Sequence, residues 1–142
     1  MPTRKASAIW EKGVKDGKGS FKGESGTVNG NYSFGSRFES QPGSNPEELL
    51  AAAEAACFSM ALALGLEKSG TPAQSVETSA ACTVEKSDDG FRITTMSLLV
   101  NAKVAGLDDA KFQQIAQATK DGCPVSQALK GNVNITLTAK LV

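Results

Sequence analysis

The sequence predicts an α+β protein in which antiparallel sheets pack around one long central helix. Three observations lead to this fold class. The segment from Pro46 to about Lys68 is apolar on nearly every side and carries the start and stop signals of a helix. Segments with strand character precede and follow it. Near the C-terminal end, an amphipathic helix and a short helix precede one more strand, which favours helices packed on sheet.

The composition fits one globular domain and excludes several function classes. A chain of 142 residues suits a single domain over residues 1–142, with a real hydrophobic core. Lys+Arg and Asp+Glu number 15 each, so no basic field is available for nucleic acid. The chain has no histidine, which removes the commonest general base and the commonest zinc ligand.

The cysteines are too few and too scattered for a structural framework. Cys57, Cys82 and Cys123 form no CxxC motif, and three thiols without a histidine make a poor zinc site. An odd number also argues against the disulfide framework of a secreted protein. Isolated cysteines in a reducing compartment are more often reactive or inert than bridged.

The localisation expected from the sequence is cytoplasmic. No apolar run follows the N-terminal segment Met1–Lys5, so we expect no signal peptide. The apolar central segment is rich in alanine, contains Glu54 and Ser59, and opens with two glutamates. These features argue against a membrane span.

The first third of the chain is predicted to be extended. Lys5–Glu11 is predicted to form a first strand and Ser20–Gly23 a second. Asn29–Gly30 is a strong signal for a hairpin turn. We interpret Tyr32–Glu39 as a further extended segment.

The central helix has a well-marked start. Asn45 can cap it, Pro46 suits the first helical position, and Glu47 and Glu48 favour the positive end of the helix dipole. The segment Ser69–Pro72 ends the helix. Because an all-round apolar helix needs cover on every side, a second subunit is the natural source of that cover in so small a chain.

The rest of the chain alternates strands and helices. Val76–Glu85 and Phe91–Val104 are predicted to form a hairpin of two strands. Leu107–Lys120 has the spacing of an amphipathic helix, and Pro124–Leu129 that of a short helix capped by the preceding cysteine. Val133–Leu141 alternates apolar and polar residues, which predicts a final strand.

The three thiols have different chemical prospects. Cys82 lies on the apolar face of a strand, where a cysteine is usually a small buried hydrophobe. Cys123 precedes Pro124 at a helix start, where free amides and the dipole favour a thiolate; a buried cap is the alternative. Cys57 lies in mid-helix, and Glu54 three residues earlier would raise its pKa. Cys57 is therefore core packing unless a cation acts on it.

Arg37 is the cation we expect to act on a thiol. Its guanidinium needs an acid partner to fix its plane, and Glu47 could be that partner; the alternative for Glu47 is a helix-capping charge. Glu47 and Cys57 are ten residues apart on one helix, about 15 Å along its axis and about 80° around it. One straight helix cannot bring both to one reactive atom. If both serve one site, Glu47 and Arg37 must reach Cys57 of a second chain.

Two cysteine motifs and several other segments of the sequence form a specific pattern. These are Trp10-Glu11, Gly17-Lys18-Gly19, Glu24-Ser25-Gly26, Arg37-Phe38-Glu39, Asn45-Pro46-Glu47-Glu48-Leu49, Ala55-Ala56-Cys57-Phe58-Ser59-Met60-Ala61-Leu62 and Gly122-Cys123-Pro124-Val125-Ser126-Gln127. Through these segments nearly the whole sequence resembles the OsmC/Ohr family of hydroperoxide-reducing proteins, and more closely its OsmC branch.

The resemblance implies an OsmC-like fold, an intertwined homodimer and thiol peroxidase activity that prefers organic hydroperoxides to hydrogen peroxide. Cys57 corresponds to the peroxidatic cysteine and Cys123 to the resolving one, while Arg37 and Glu47 correspond to the activating pair. The family needs no metal, flavin or haem, and a dithiol reductant, typically a lipoyl group, returns the disulfide to thiols. One departure is Glu54, where members of the OsmC branch often carry histidine.

Two questions remain open on sequence alone. Dipole arguments favour Cys123 as the first nucleophile and the resemblance favours Cys57. We follow the resemblance, because an arginine in contact can outweigh roughly half a unit of dipole charge. The rival function is a non-catalytic protein that binds a small apolar ligand in a pocket at the dimer interface. A redox sensor is a third interpretation, although the chain has no DNA-binding element to report oxidation.

Overall fold

The computed structural model describes all 142 residues, and these form two compact units, residues 1–49 and residues 50–142. Each unit contains a three-stranded sheet. The long helix α2 spans Pro46–Lys68, so its first turn belongs to the first unit and the remainder to the second. The predicted α+β class and the predicted bounds of the central helix are confirmed.

The first unit is built on an antiparallel sheet whose middle strand carries an obligatory glycine. Its strands are β1 (Ala6–Glu11), β2 (Lys18–Gly23) and β3 (Asn29–Tyr32), in the order β1-β2-β3. Gly19 pairs with Trp10 on one side and with Tyr32 on the other. A Cβ atom at Gly19 would lie 2.5 Å from the Tyr32 ring and 2.7 Å from the Trp10 ring. Only glycine therefore lets these two rings pack 5.3 Å apart across the strand.

The predicted turn at Asn29–Gly30 is wrong, since both residues lie in β3. The chain turns between Gly23 and Val28 instead, where the Gly23 amide donates to the Val28 carbonyl at 2.7 Å. Gly26 supplies the positive φ of 77° that this turn requires. The Asn29 side chain donates to the Gly26 carbonyl at 3.1 Å. It thus supports the turn from the adjoining strand.

The predicted extended segment over Tyr32–Glu39 is also wrong, because Phe34–Phe38 forms a short helix, α1. Two serines cap its start reciprocally. The Ser33 hydroxyl accepts from the Ser36 amide at 3.1 Å, and the Ser36 hydroxyl accepts from the Ser33 amide at 2.8 Å. This is the geometry of a capping box, with serine in the place usually taken by glutamate or glutamine.

The second unit contains a mixed sheet. Its elements after α2 are β4 (Ser75–Ser87), β5 (Gly90–Lys103), α3 (Asp109–Gly122), α4 (Pro124–Leu129) and β6 (Asn134–Leu141). Strands β4 and β5 form the predicted antiparallel hairpin, but β6 pairs with β5 in parallel. The prediction of antiparallel sheets is therefore wrong for β6. The two helices between β5 and β6 form the crossover that a parallel pair requires.

The core of the second unit joins α2 to the mixed sheet and to α3. Its fully buried large side chains come from α2 (Phe58, Leu62, Leu66), β5 (Met96, Leu98, Val100) and α3 (Phe112). By length and composition α2 could cross a membrane, with a mean hydropathy of 1.9, yet it supplies three of these core side chains. Its opposite face is open in the single chain, where Met60 is 79% exposed and Leu64 is 49% exposed. The expectation of an α2 packed on every side is thus not met within one chain.

Candidate active site

The structure brings together two of the three cysteines. Cys57 is half-buried in the middle of α2, and Cys123 is fully buried at the junction of α3 and α4. Their Sγ atoms lie 3.2 Å apart, although the residues are 66 positions apart in the chain. Both thiols are reduced. The arrangement is that of a dithiol ready to form a bond between the two sulfurs.

Cys123 owes its position to a break between two helices. Its amide donates to the Thr119 carbonyl at 2.7 Å and ends α3. Proline at position 124 disfavours helical backbone at the preceding residue, and Cys123 accordingly has φ −59° and ψ 126°. Its carbonyl then accepts from the Gln127 amide at 2.9 Å in the first turn of α4. The Cys123 side chain makes no capping bond, so its sulfur is available to Cys57.

The surroundings of Cys57 within one chain raise its pKa. Burial is the largest cause, and the hydrogen bond and charge of Cys123 and the charge of Glu54 act in the same direction. A hydrogen bond from the Val125 backbone opposes them by stabilising the thiolate. The predicted effect of Glu54 on this thiol is confirmed in direction. The net effect of these surroundings is to disfavour the Cys57 thiolate.

Glu54 is a buried carboxyl with an incomplete set of hydrogen bonds. It lies one helical turn before Cys57, and its side chain is fully shielded from solvent. The hydroxyl of Ser126, which is itself buried in the first turn of α4, donates to Glu54 Oε1 through a short hydrogen bond. Glu54 Oε2 is buried and has no hydrogen-bond partner. The sequence singled out Glu54, but it gave no reason to place Ser126 against it.

Arg37 and Glu47 form a fixed ion pair inside the first unit. Arg37 Nε lies 3.0 Å and 3.3 Å from the two carboxylate oxygens of Glu47, and Nη2 lies 2.8 Å from Oε1. Glu47 is only 6% exposed. The guanidinium also lies over the Phe38 ring, 5.0 Å from its centroid. Glu47 is therefore the acid partner of Arg37, which the sequence had left open against a capping role.

Hydrogen bonds between α1 and the start of α2 hold this pair in place. The Ser36 hydroxyl donates to the Ser44 carbonyl at 2.8 Å, and the Asn45 side chain donates to the Ser36 carbonyl at 3.1 Å. The Asn45 oxygen also accepts from the Glu48 amide at 2.8 Å, so Asn45 caps α2 as predicted. One asparagine thus fixes both the helix that carries Arg37 and the helix that carries Glu47.

An apolar cavity of about 260 Å³ opens beside Arg37. Its other walls are mainly aromatic and aliphatic, from Trp10, Val14, Tyr32, Phe34 and Phe38. The Phe34 and Phe38 rings pack 5.1 Å apart on α1. An arginine at the edge of an apolar cavity suits a ligand with a hydrocarbon body and a polar end.

Cys82 lies on a strand, whereas the two paired thiols lie on α2 and at the junction of α3 and α4. It is half-buried on β4, opposite Met96 of β5, and packs against the core of the second unit. The prediction of a small buried hydrophobe is met in part, because Cys82 packs against the core but is only half-buried. The predicted site residues therefore form two clusters, Cys57 with Cys123 in the second unit and Arg37 with Glu47 in the first.

An α+β fold that holds two thiols in contact, together with an arginine fixed by a buried carboxylate, defines a thiol-based redox protein. Residues 38–138 match the model of the OsmC-like protein family, and the chain belongs to that family.

Relatives and solved structures agree with this assignment. The chain is 45% identical to "Peroxiredoxin OsmC" of Escherichia coli K12, over 96% of each protein. It is 39% identical to "Organic hydroperoxide resistance protein OhrB" of Bacillus subtilis, over 72% of this chain and 74% of that one. The crystal structure of an organic hydroperoxide resistance protein from Elizabethkingia anophelis superposes with a TM-score of 0.81 at 25% identity, covering 100% of this chain and 98% of that one.

Proposed function

We propose that this protein is a cysteine-based thiol peroxidase that reduces organic hydroperoxides and, more weakly, hydrogen peroxide. The observation that carries the proposal is the 3.2 Å contact between the sulfurs of Cys57 and Cys123, far apart in sequence and held on separate helices. The relatives named peroxiredoxin and organic hydroperoxide resistance protein support the same chemistry.

In the first step, the Cys57 thiolate attacks the oxygen of the hydroperoxide that carries the hydrogen atom. The O–O bond breaks, Cys57 becomes a sulfenic acid, and the substrate leaves as an alkoxide that takes up a proton to give the alcohol. Arg37 supplies positive charge, which stabilises the thiolate before attack and the alkoxide after it. Glu47 is the positioning residue that fixes the plane of the guanidinium.

In the second step, the Cys123 thiol condenses with the sulfenic acid on Cys57. The S–S bond forms, the S–O bond breaks, and the hydroxyl leaves as water. An external dithiol, for which a lipoyl group is the favoured class, then reduces the disulfide. The chemistry is carried by Cys57 and Cys123 without a metal or organic cofactor.

The working form we propose is a homodimer in which each Arg37–Glu47 pair serves Cys57 of the partner subunit. Two features of the single chain support this arrangement. Cys57 has a raised pKa, so it needs a cation from elsewhere. The face of α2 that carries Met60 and Leu64 is apolar and uncovered, as expected for a surface buried between two copies of the chain. We further propose that residues 1–142 act as one OsmC-like domain in the cytoplasm.

The cavity beside Arg37 supports an organic substrate. Its apolar walls would hold a hydrocarbon group while the peroxide end faces the guanidinium, which hydrogen peroxide could not exploit. The same walls would suit the rival function, a protein that binds a small apolar ligand without turning it over.

Mass spectrometry under non-reducing conditions tests the proposal. One equivalent of cumene hydroperoxide is expected to produce a Cys57–Cys123 disulfide and leave Cys82 reduced. The Cys57→Ser variant is expected to stop consuming the peroxide in the presence of dihydrolipoamide, while Cys82→Ser keeps the wild-type rate. A Cys57→Ser protein with the wild-type rate would overturn the peroxidase scheme. Binding of cumyl alcohol without any turnover of the hydroperoxide would support the rival function.

A further inference from the structure

We infer that Glu54, held by Ser126, is the proton acceptor for Cys123 when Cys123 attacks the sulfenic acid on Cys57. This inference rests on the proposed peroxidase function and assigns a role to a residue that the two-step scheme does not use. Cys123 and Glu54 are both fully buried, and the Glu54 carboxyl accepts a hydrogen bond on one oxygen only.

The second step has a proton to move and few groups that can move it. Cys123 must lose the proton of its thiol as the sulfur attacks, and the departing hydroxyl must gain one. Cys123 is fully buried, so bulk water does not reach its sulfur. The chain has no histidine. In residues 50–142, the only buried side chain that normally ionises as an acid, other than the cysteine itself, is Glu54.

Glu54 lies at the junction of the two segments that carry the sulfurs. It is one turn before Cys57 on α2, and its Oε1 accepts from Ser126, three residues after Cys123 at the start of α4. Its charge acts on the Cys57 thiol. The hydrogen bond to Ser126 fixes one oxygen of the carboxyl and thereby orients the other.

Glu54 Oε2 is the oxygen that is free to react. It is buried and has no donor in the reduced protein. A buried acceptor without a donor is destabilised, so any step that brings a donor to it recovers that cost. The sulfenic acid on Cys57 introduces a new O–H group, and the attacking thiol of Cys123 introduces a proton that must leave.

The proton balance closes within the site. As the Cys123 sulfur forms the S–S bond, its proton passes to Glu54 Oε2. The S–O bond of Cys57 breaks at the same time, and the departing hydroxide takes that proton from Oε2 to become water. Glu54 ends the step as the carboxylate with which it began, and no further reactant is consumed.

This role explains why a carboxyl is tolerated at a position where it opposes the first step. A negative charge beside Cys57 disfavours the thiolate that attacks the peroxide. The same charge assists the second step, because it accepts the proton of the resolving thiol. Glu54 is therefore expected to affect the two steps with opposite signs.

The test measures both steps separately in the full-length protein. Rapid mixing with cumene hydroperoxide, followed by quenching and mass spectrometry of the Cys57 peptide, gives the rate of sulfenic acid formation and the rate of its conversion to disulfide. In Glu54→Gln we expect formation to be at least as fast as in the wild type. We expect conversion to slow by about 100-fold, the low end of the range for a lost general base.

Two companion variants sharpen the result. Glu54→His replaces the carboxylate with another proton acceptor and should keep conversion within about 10-fold of the wild-type rate. Glu67→Gln changes an exposed glutamate on the same helix and should alter neither rate. Conversion in Glu54→Gln at the wild-type rate would overturn the inference. An equal slowing of both steps in Glu54→Gln and Glu54→His would also overturn it, since that is the signature of a purely structural role.

Disulfide formation in the wild-type protein distinguishes failure of this inference from failure of the proposed peroxidase function. If the wild-type protein forms a Cys57–Cys123 disulfide but Glu54→Gln forms it equally fast, only the role of Glu54 fails. If the wild-type protein forms no disulfide at all, the peroxidase function and this inference fail together.

Discussion

Two glutamates on α2 are both buried, yet they are satisfied in opposite ways. Glu47, in the first unit, is bound by the guanidinium of Arg37 through Nε and Nη2. Glu54, in the second unit, has one hydroxyl donor on Oε1 and none on Oε2. A carboxylate with a matched cation keeps its charge and holds that cation still. A buried carboxylate with one unpaired oxygen can accept a proton or a hydrogen bond at that oxygen.

The difference separates a positioning carboxylate from a reacting one. Glu47 orients Arg37, because both of its carboxylate oxygens accept hydrogen bonds from the guanidinium. Glu54 can exchange a proton, because one oxygen is still available. If the contrast is right, substitutions in the Arg37–Glu47 pair should slow attack on the peroxide. Substitution of Glu54 should slow conversion of the sulfenic acid to the disulfide without slowing the attack.

The largest effect is expected from loss of Arg37, the cation of the Arg37–Glu47 pair. Arg37→Ala removes the charge that stabilises both thiolate and alkoxide, so kcat/KM for cumene hydroperoxide should fall by about 100- to 1000-fold. Steady-state turnover with dihydrolipoamide measures this fall. Arg37→Lys keeps the positive charge but loses the planar guanidinium with its several donors, so it should retain only part of the activity. A loss below about threefold in Arg37→Ala would remove Arg37 from the mechanism.

The pH dependence of Cys57 alkylation should shift in opposite directions in the variants Glu54→Gln and Arg37→Ala. Glu54→Gln removes one cause of the raised pKa, so the thiolate should appear at lower pH. Arg37→Ala removes the proposed cation, so the thiolate should appear at higher pH. Iodoacetamide labelling from about pH 5 to about 10, read on the Cys57 peptide, measures both shifts. Shifts of the same sign would break the contrast between the two pairs.

The free energy of unfolding shows whether the Glu54–Ser126 pair stabilises the fold. The double variant Glu54→Leu/Ser126→Ala removes an incompletely bonded carboxyl together with its hydroxyl donor. Replacing both partners with apolar groups leaves nothing unpaired, so the free energy of unfolding should be unchanged or raised by about 1 kcal/mol. Urea unfolding of the reduced protein measures the change. A loss of more than about 2 kcal/mol would mean that the Glu54–Ser126 pair is structural.

The smallest effect is expected from the ring beneath Arg37. Phe38→Leu keeps an apolar wall and removes the cation–π contact with the guanidinium, which lies 5.0 Å from the ring centroid. Such a contact contributes about 0.5–1 kcal/mol when partly exposed, so kcat/KM should fall about two- to fivefold. Phe34→Leu, which changes the neighbouring ring of α1, serves as the control for loss of aromatic packing. Equal losses in both variants would assign the effect to the cavity wall.

The sequence predicted the elements with strong local signals and missed those determined by context. The bounds of α2 follow from Asn45, Pro46 and the glutamates, all of which act within one turn. Helix α1 was missed because serine at position 36 completes its capping box where the usual pattern has glutamate. The parallel pairing of β6 was missed because strand direction depends on the whole crossover.

The same division holds for the candidate site. The arginine and its acid partner were found because a guanidinium in an apolar segment demands a carboxylate. That Cys57 would touch Cys123 could be expected from family resemblance alone, since no local rule links residues 66 positions apart. No sequence pattern predicts the hydrogen bond between Ser126 and Glu54, because a serine in the first turn of a helix usually hydrogen-bonds to nearby backbone groups.

The separation of the paired sulfurs along the chain also ties the redox state of the protein to its folding. A bond between Cys57 and Cys123 would close a loop spanning 66 residues, nearly half of the 142-residue chain. In the chain-entropy account, such a cross-link raises the free energy of unfolding by about 4 kcal/mol, because the unfolded chain loses conformations. The oxidised molecule is then the one harder to unfold and to degrade. Each encounter with a hydroperoxide would thus leave a longer-lived protein behind until a dithiol restores the reduced state.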